Sequence, residues 1–171
     1  MTTRLNAFEI LTVAETIERD SIDFYRKAAR LFKDEALRTT LLLLADWERK
    51  HESVFAAMKK ELSHNREKDM TFDVSSFLLT SPLTLKCMAW SAIQSKSKRE
   101  FTGAESKEEI LELAMSRERN VISFYYNHVE IVGDSLGKDN INEVIGEEKR
   151  HVCILRRALE QLRDPQSACR S

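Results

Sequence analysis

The sequence is poor in the residues that make turns. Four glycines and two prolines, Pro82 and Pro165, serve 171 residues. Tight hairpins depend on Gly, Asn and Pro at fixed turn positions, so a fold built from many hairpins is excluded. Net charge is also missing: 27 Lys and Arg face 28 Asp and Glu. That balance leaves no basic footprint for nucleic acid and no acidic tail. Apolar runs stop after a few residues, well short of the roughly 20 that a membrane span needs. The first residues, MTTRLNAFEI, lack the basic-then-apolar order of a secretion signal. Cysteines are three, Cys87, Cys153 and Cys169, far apart and without a CxxC pair. Neither a disulfide framework nor a cysteine zinc site is expected, and a reducing, cytoplasmic setting follows.

What is present is Leu, Ala, Glu, Lys and Arg, the composition of an all-α protein. Four helices are predicted, over about 7–32, 35–67, 107–133 and 140–163. Asn6 with Glu9 and Ser106 with Glu109 have the spacing of capping boxes, and Asp34 is a candidate cap for the second helix. Phe8, Leu11, Ile22, Tyr25, Ala29 and Phe32 form one helical stripe. Leu41, Leu44, Phe55, Met58 and Leu62 form another. The first and last connections are short, which favours antiparallel neighbours. The long one, about 68–106, permits a crossover. It is expected to hold a short helix after Ser81 and a solvated charge cluster, SKSKRE, at 95–100. The whole chain, 1–171, reads as one antiparallel four-helix bundle domain with a long crossover between helices 2 and 3.

The first two helices repeat in the last two at an offset of 100 residues. Leu11, Ala14, Glu18, Ile22, Phe24, Tyr25, Glu48, His51 and Leu62 match Leu111, Ala114, Glu118, Ile122, Phe124, Tyr125, Glu148, His151 and Leu162. Each half therefore carries E-x3-I-x-F-Y, with E-x-x-H beginning thirty residues after its glutamate. A duplicated helix hairpin accounts for this register.

Helical geometry gives the repeat its chemistry. Glu48 and His51 are i and i+3, on the face that also carries Leu44 and Phe55. Glu148 and His151 lie between Val144 and Leu155. Glu18 sits between Leu11 and Ile22, and Glu118 between Leu111 and Ile122. Four carboxylates and two imidazoles thus point into the bundle. Bare, they would repel, and burying each charge costs several kcal/mol. No Lys or Arg shares these stripes, so protonation or metal must balance them. Two divalent cations balance four carboxylates and leave the histidines as neutral ligands. One Glu from each of two helices and Glu-x-x-His from each of the other two is the di-iron carboxylate pattern. Oxygen-rich ligation with one imidazole per metal suits two irons or manganese, with zinc as an adventitious occupant.

ERDSIDFYRKAA with WERKH, and ERNVISFYYN with EEKRH, resemble the ferritin-like superfamily and within it the rubrerythrin branch. The resemblance implies that Glu18 and Glu118 are terminal ligands, Glu48 and Glu148 bridging ligands, and His51 and His151 one nitrogen ligand per metal. Two departures stand out. Rubrerythrin peroxidases carry a further glutamate on the third helix, where this chain has Val121, with Met115 one turn before Glu118. Glu15 leans inward on the first helix, but its repeat partner is Met115. Many rubrerythrins also end in a four-cysteine rubredoxin domain, whereas this chain ends at SACRS. A separate electron donor such as rubredoxin is therefore expected.

The expected function is a di-iron oxidoreductase of rubrerythrin type that reduces hydrogen peroxide or dioxygen. A ferroxidase or iron-storage protein, and a non-catalytic helical module with a structural metal, are the alternatives. Glu15, Tyr25 and Tyr125 are candidates to stand just behind the ligands. Trp47 and Trp90 are read as packing or interface residues. Cys153 is read as structural, and His64 and His128 as off the metal face. The resemblance also implies a homodimer paired through outer faces.

Overall fold

The computed structural model describes residues 6–67, 101–132 and 137–164, with backbone alone for 65–67. Four helices account for nearly all of them: α1 (Ala7–Leu31), α2 (Glu35–Glu67), α3 (Lys107–Val132) and α4 (Lys138–Arg163). The expected short helix after Ser81, Trp90 and the 95–100 charge cluster lie outside the described residues.

Helix ends follow local chemistry. At Asn6 the capping box is complete: Glu9 N–H donates to Asn6 Oδ1 at 3.0 Å, and Asn6 N–H donates to Glu9 Oε2 at 2.9 Å. Asp34 Oδ1 accepts from Leu37 N–H at 3.1 Å at the start of α2. Ser106 and Glu109 exchange the same pair of bonds before α3, at 3.2 and 2.8 Å. These caps satisfy N–H groups that the helix itself leaves orphaned. The start of α4 differs from expectation. Gly137 precedes it at φ 92°, a left-handed backbone, and the helix begins two residues before Asn140. A Cβ at Gly137 would also come within 2.9 Å of Asn140 Nδ2, a side-chain end that can swing aside, so it is the positive φ that calls for glycine there.

Helices α1 and α2 pack as one hairpin and α3 and α4 as another, with α1 against α3 and α2 against α4. The apolar core falls into two clusters. One gathers Phe8, Leu11, Phe55, Met58, Val129, Val144 and their neighbours. The other gathers Ala28, Leu41, Leu44, Ile110, Leu111, Leu155 and theirs. Along every helix, Glu18, the 48/51 pair, Glu118 or the 148/151 pair separates the residues of one cluster from those of the other. A polar layer thus crosses the bundle between two apolar ends.

Candidate metal centre

All six predicted residues meet in that layer. Glu18, Glu48, Glu118 and Glu148 are 0 to 1 % exposed, and His51 and His151 are 2 % exposed. Carboxylates and imidazoles are almost never buried to this degree without partners. Their ligand atoms form two groups, each drawn together within 4.8 Å: Glu18, Glu48, His51 and Glu148; and Glu48, Glu118, Glu148 and His151. Glu48 and Glu148 belong to both. Neither group contains a seventh acid, and Val121 and Met115 are buried in the apolar clusters on either side.

Both histidines turn Nδ1 inward. His51 Nδ1 lies 2.9 Å from Glu148 Oε1 and 3.5 Å from Glu48 Oε2. His151 Nδ1 lies 3.0 Å from Glu48 Oε1 and 3.1 Å from Glu148 Oε2. Most of these approaches are close without having hydrogen-bond direction. Glu18 Oε2, both oxygens of Glu48, Glu148 Oε1 and His51 Nδ1 are buried with no hydrogen-bond partner among the described residues. Orphaned buried acceptors are costly, about 1–3 kcal/mol each and more for charged groups. A cation coordinated by those atoms removes the cost, so the donor set fits a pair of metals.

The tyrosines cross between halves. Tyr25 donates its hydroxyl to Glu118 Oε1, and Tyr125 donates to Glu18 Oε1. Each therefore orients the glutamate of the other hairpin rather than the one on its own helix. Burial and the surrounding carboxylates hold both phenols well above their ordinary pKa, so they stay protonated donors.

The electrostatics of the metal-free layer also balance. Burial, with Glu148 and Glu48 close by, raises the Glu18 and Glu118 carboxyls well above the usual range, towards the neutral form. Burial alone would discharge His51 and His151. The Glu148 and Glu48 carboxylates outweigh it and lift the imidazoles to about 10 and about 9. Burial likewise opposes the charge on Glu148, but the two histidines hold it below the usual carboxylate range. Glu18 and Glu118 thus lean to the neutral form while both imidazoles lean to the charged one. Protons occupy the positions that cations would otherwise neutralise.

Glu15 does not join the cluster. Its carboxylate is bound by Lys59 and by Arg19, the latter at 2.7 Å, at the α1–α2 edge. Those two cations hold it, and among the described residues no hydrogen bond joins it to any of the six. Trp47 packs inside the chain: its ring stacks on His151 at 5.2 Å and 10°. Glu147, not singled out by the spacing, lies with Oε2 at 2.7 Å from His51 Nε2. Cys153 is exposed, and His128 Nδ1 is engaged with the Phe124 carbonyl at 2.8 Å.

A family model described as Rubrerythrin matches residues 9–159. That span takes in all six buried ligand candidates. The chain belongs to the rubrerythrin family. Among solved structures, a crystal structure from Thermotoga maritima, described as a candidate ferritin-like diiron-carboxylate protein, superposes with a TM-score of 0.65. It is 24 % identical and covers 97 % of this chain and 100 % of its own, and at that identity the likeness speaks for the fold. No curated protein matches. Membership of the rubrerythrin family agrees with the ferritin-like bundle and with a buried glutamate–histidine cluster suited to two metals. No helix among the described residues is long and apolar enough to cross a membrane.

Proposed function

We propose that this rubrerythrin-family chain is a di-iron oxidoreductase that reduces hydrogen peroxide or dioxygen. The observation that carries the reading is the buried six-residue layer. Its two four-residue groups share Glu48 and Glu148, and five of its polar atoms have no hydrogen-bond partner among the described residues. Glu18 and Glu118 would each serve one metal, Glu48 and Glu148 would bridge, and His51 and His151 would bind through Nδ1. Iron is favoured over zinc because carboxylate oxygens with a single imidazole per metal are hard ligands suited to a redox ion. Two ferrous ions held by these six residues would supply the two electrons needed to convert hydrogen peroxide and two protons into two waters.

The protein's own part is to hold and to exclude. Tyr25 and Tyr125 fix Glu118 and Glu18 by donated hydrogen bonds. The apolar clusters at both ends keep bulk water from the layer. That low-dielectric surrounding strengthens the attraction of the carboxylates for cations. Electrons to restore the ferrous state would come from a separate donor such as rubredoxin.

The test is anaerobic. Metal-free protein is loaded with two equivalents of Fe(II) and mixed in a stopped-flow instrument with peroxide or with air-saturated buffer. Peroxide is expected to oxidise both equivalents fastest, with repeated turnover once a reductant is supplied. Faster reaction with dioxygen, accompanied by uptake of many further irons, would replace this reading with ferroxidase and storage. Failure to hold two metals per chain would overturn both.

A further inference from the structure

The repeat copies the six ligands but not what stands behind the two histidine rings. Positions 47 and 147 correspond, and they are tryptophan and glutamate. Glu147 reaches across from α4 to His51 on α2, its Oε2 2.7 Å from Nε2. The other nitrogen of that ring, Nδ1, faces Glu148 and Glu48 in the layer. Behind His151 there is an indole face instead, stacked at 10°.

We infer that Glu147 is a positioning residue for His51, and that it makes the two metal positions unequal. The tighter one is held by Glu18, Glu48, His51 and Glu148. The inference rests on the di-metal reading above. A neutral imidazole carries one N–H, so binding metal through Nδ1 requires the proton on Nε2. A carboxylate accepting from Nε2–H selects that tautomer, locks the ring plane and enriches Nδ1 in electron density. Trp47 restrains the plane of His151 by stacking on the face of the ring, and among the described residues no carboxylate is bonded to His151 Nε2 as Glu147 is to His51 Nε2. Glu147 is itself well placed for the task. Its side chain is 43 % exposed, so it bears its charge cheaply, and Arg150 stands 3.8 Å from its other oxygen. Oε2 is left for the imidazole.

Calorimetric titration of the metal-free chain with Co(II) under anaerobic conditions tests this. Wild type is expected to take up two ions in two resolved steps. Glu147→Ala should weaken the tighter step by a factor of about 10 to 100, the range typical of lost partners behind metal ligands, and leave the other unchanged. Glu147→Gln retains an amide oxygen that accepts from Nε2–H and should recover part of the loss. Trp47→Phe should move only the weaker step. Circular dichroism of each metal-free variant should match wild type, since Glu147 is on the surface. Equal weakening of both steps, or two unchanged steps in Glu147→Ala, overturns the inference while leaving the di-metal reading intact. Wild type that binds no pair of ions overturns both.

Discussion

The two hairpins of this protein share their buried ligand candidates and part of the core around them, and differ at the edges of the bundle. Glu18, Glu48 and His51 are repeated as Glu118, Glu148 and His151, and the tyrosines that hold the terminal glutamates are repeated too. One step further out the copies diverge. Glu15, Glu52 and Lys59 in the first hairpin correspond to Met115, Val152 and Leu159 in the second. The first hairpin therefore carries an ionic edge, Arg19 and Lys59 on Glu15 and Arg19 on Glu52 at 2.8 Å, where the second has apolar residues. What the duplication had to preserve is the set of groups whose charges must balance in a buried layer. What it was free to change includes the ionic edge around Glu15, which lies outside that layer.

The largest test of this division removes ligands. Glu48→Ala or Glu148→Ala should abolish binding of both metals, because each residue belongs to both groups. Glu18→Ala and Glu118→Ala should each cost one metal. Elemental analysis after iron loading checks both, and two metals retained in Glu48→Ala would break the assignment.

Removing the metals should cost nearly as much. A cation at one hundred times its dissociation constant stabilises the fold by about 2.7 kcal/mol per site, so chelation should lower the melting temperature by several degrees.

The pH response should then reverse between the two forms. In the metal-free protein, His51 and His151 have pKa values of about 10 and about 9, against 6.5 in an unfolded chain. Their stabilisation is complete below 6.5 and lost as pH rises through 9 to 10. Glu18 and Glu118 are raised above 4.5 and give a slope of the same sign. Glu148, lowered by the histidines, gives stability that is lost only in acid. Metal-free protein should therefore melt at lower temperature as pH climbs from neutral. Metal-loaded protein should gain stability from mildly acidic to neutral pH, because cations no longer compete with those protons. Thermal melts of both forms across pH 5 to 10 check the crossing of the two curves, in buffers spanning about that range.

Smaller effects probe the symmetry itself. Tyr25→Phe and Tyr125→Phe each leave a buried carboxyl without its donor and should cost about 1–3 kcal/mol, nearly equally, in denaturant melts. Glu15→Met, which copies the second hairpin into the first, should cost no more than about 1 kcal/mol, since its ion pairs lie at the edge of the bundle. A large loss there would mean that the outer shells are not free to drift.

The same division explains what the sequence could reveal. Caps at Asn6, Asp34 and Ser106 were legible because each closes over three residues. The start of α4 was placed two residues late because Gly137 contributes a backbone conformation and no side-chain signal. The six buried ligand candidates were legible because the repeat made each half a witness to the other. Partners across the layer were not. Glu147 lies 96 positions from His51, and Trp47 opposes His151 from the other hairpin, so no helical period links them. The mismatch of Trp47 with Glu147 in the repeat was the only available hint. Periodicity put each tyrosine on the face of its own glutamate, whereas packing gave it to the other half's. Glu15 leaned inward by spacing, but Lys59 arrives from α2, and no pattern within α1 could announce it.

The most direct test of the whole account is anomalous diffraction from crystals grown with iron or manganese. It should reveal two metal peaks per chain in the layer between the apolar clusters. One should lie against Nδ1 of His51 and one against Nδ1 of His151, with Glu48 and Glu148 reaching both. A single peak, or metals bound anywhere but among these six side chains, would contradict it.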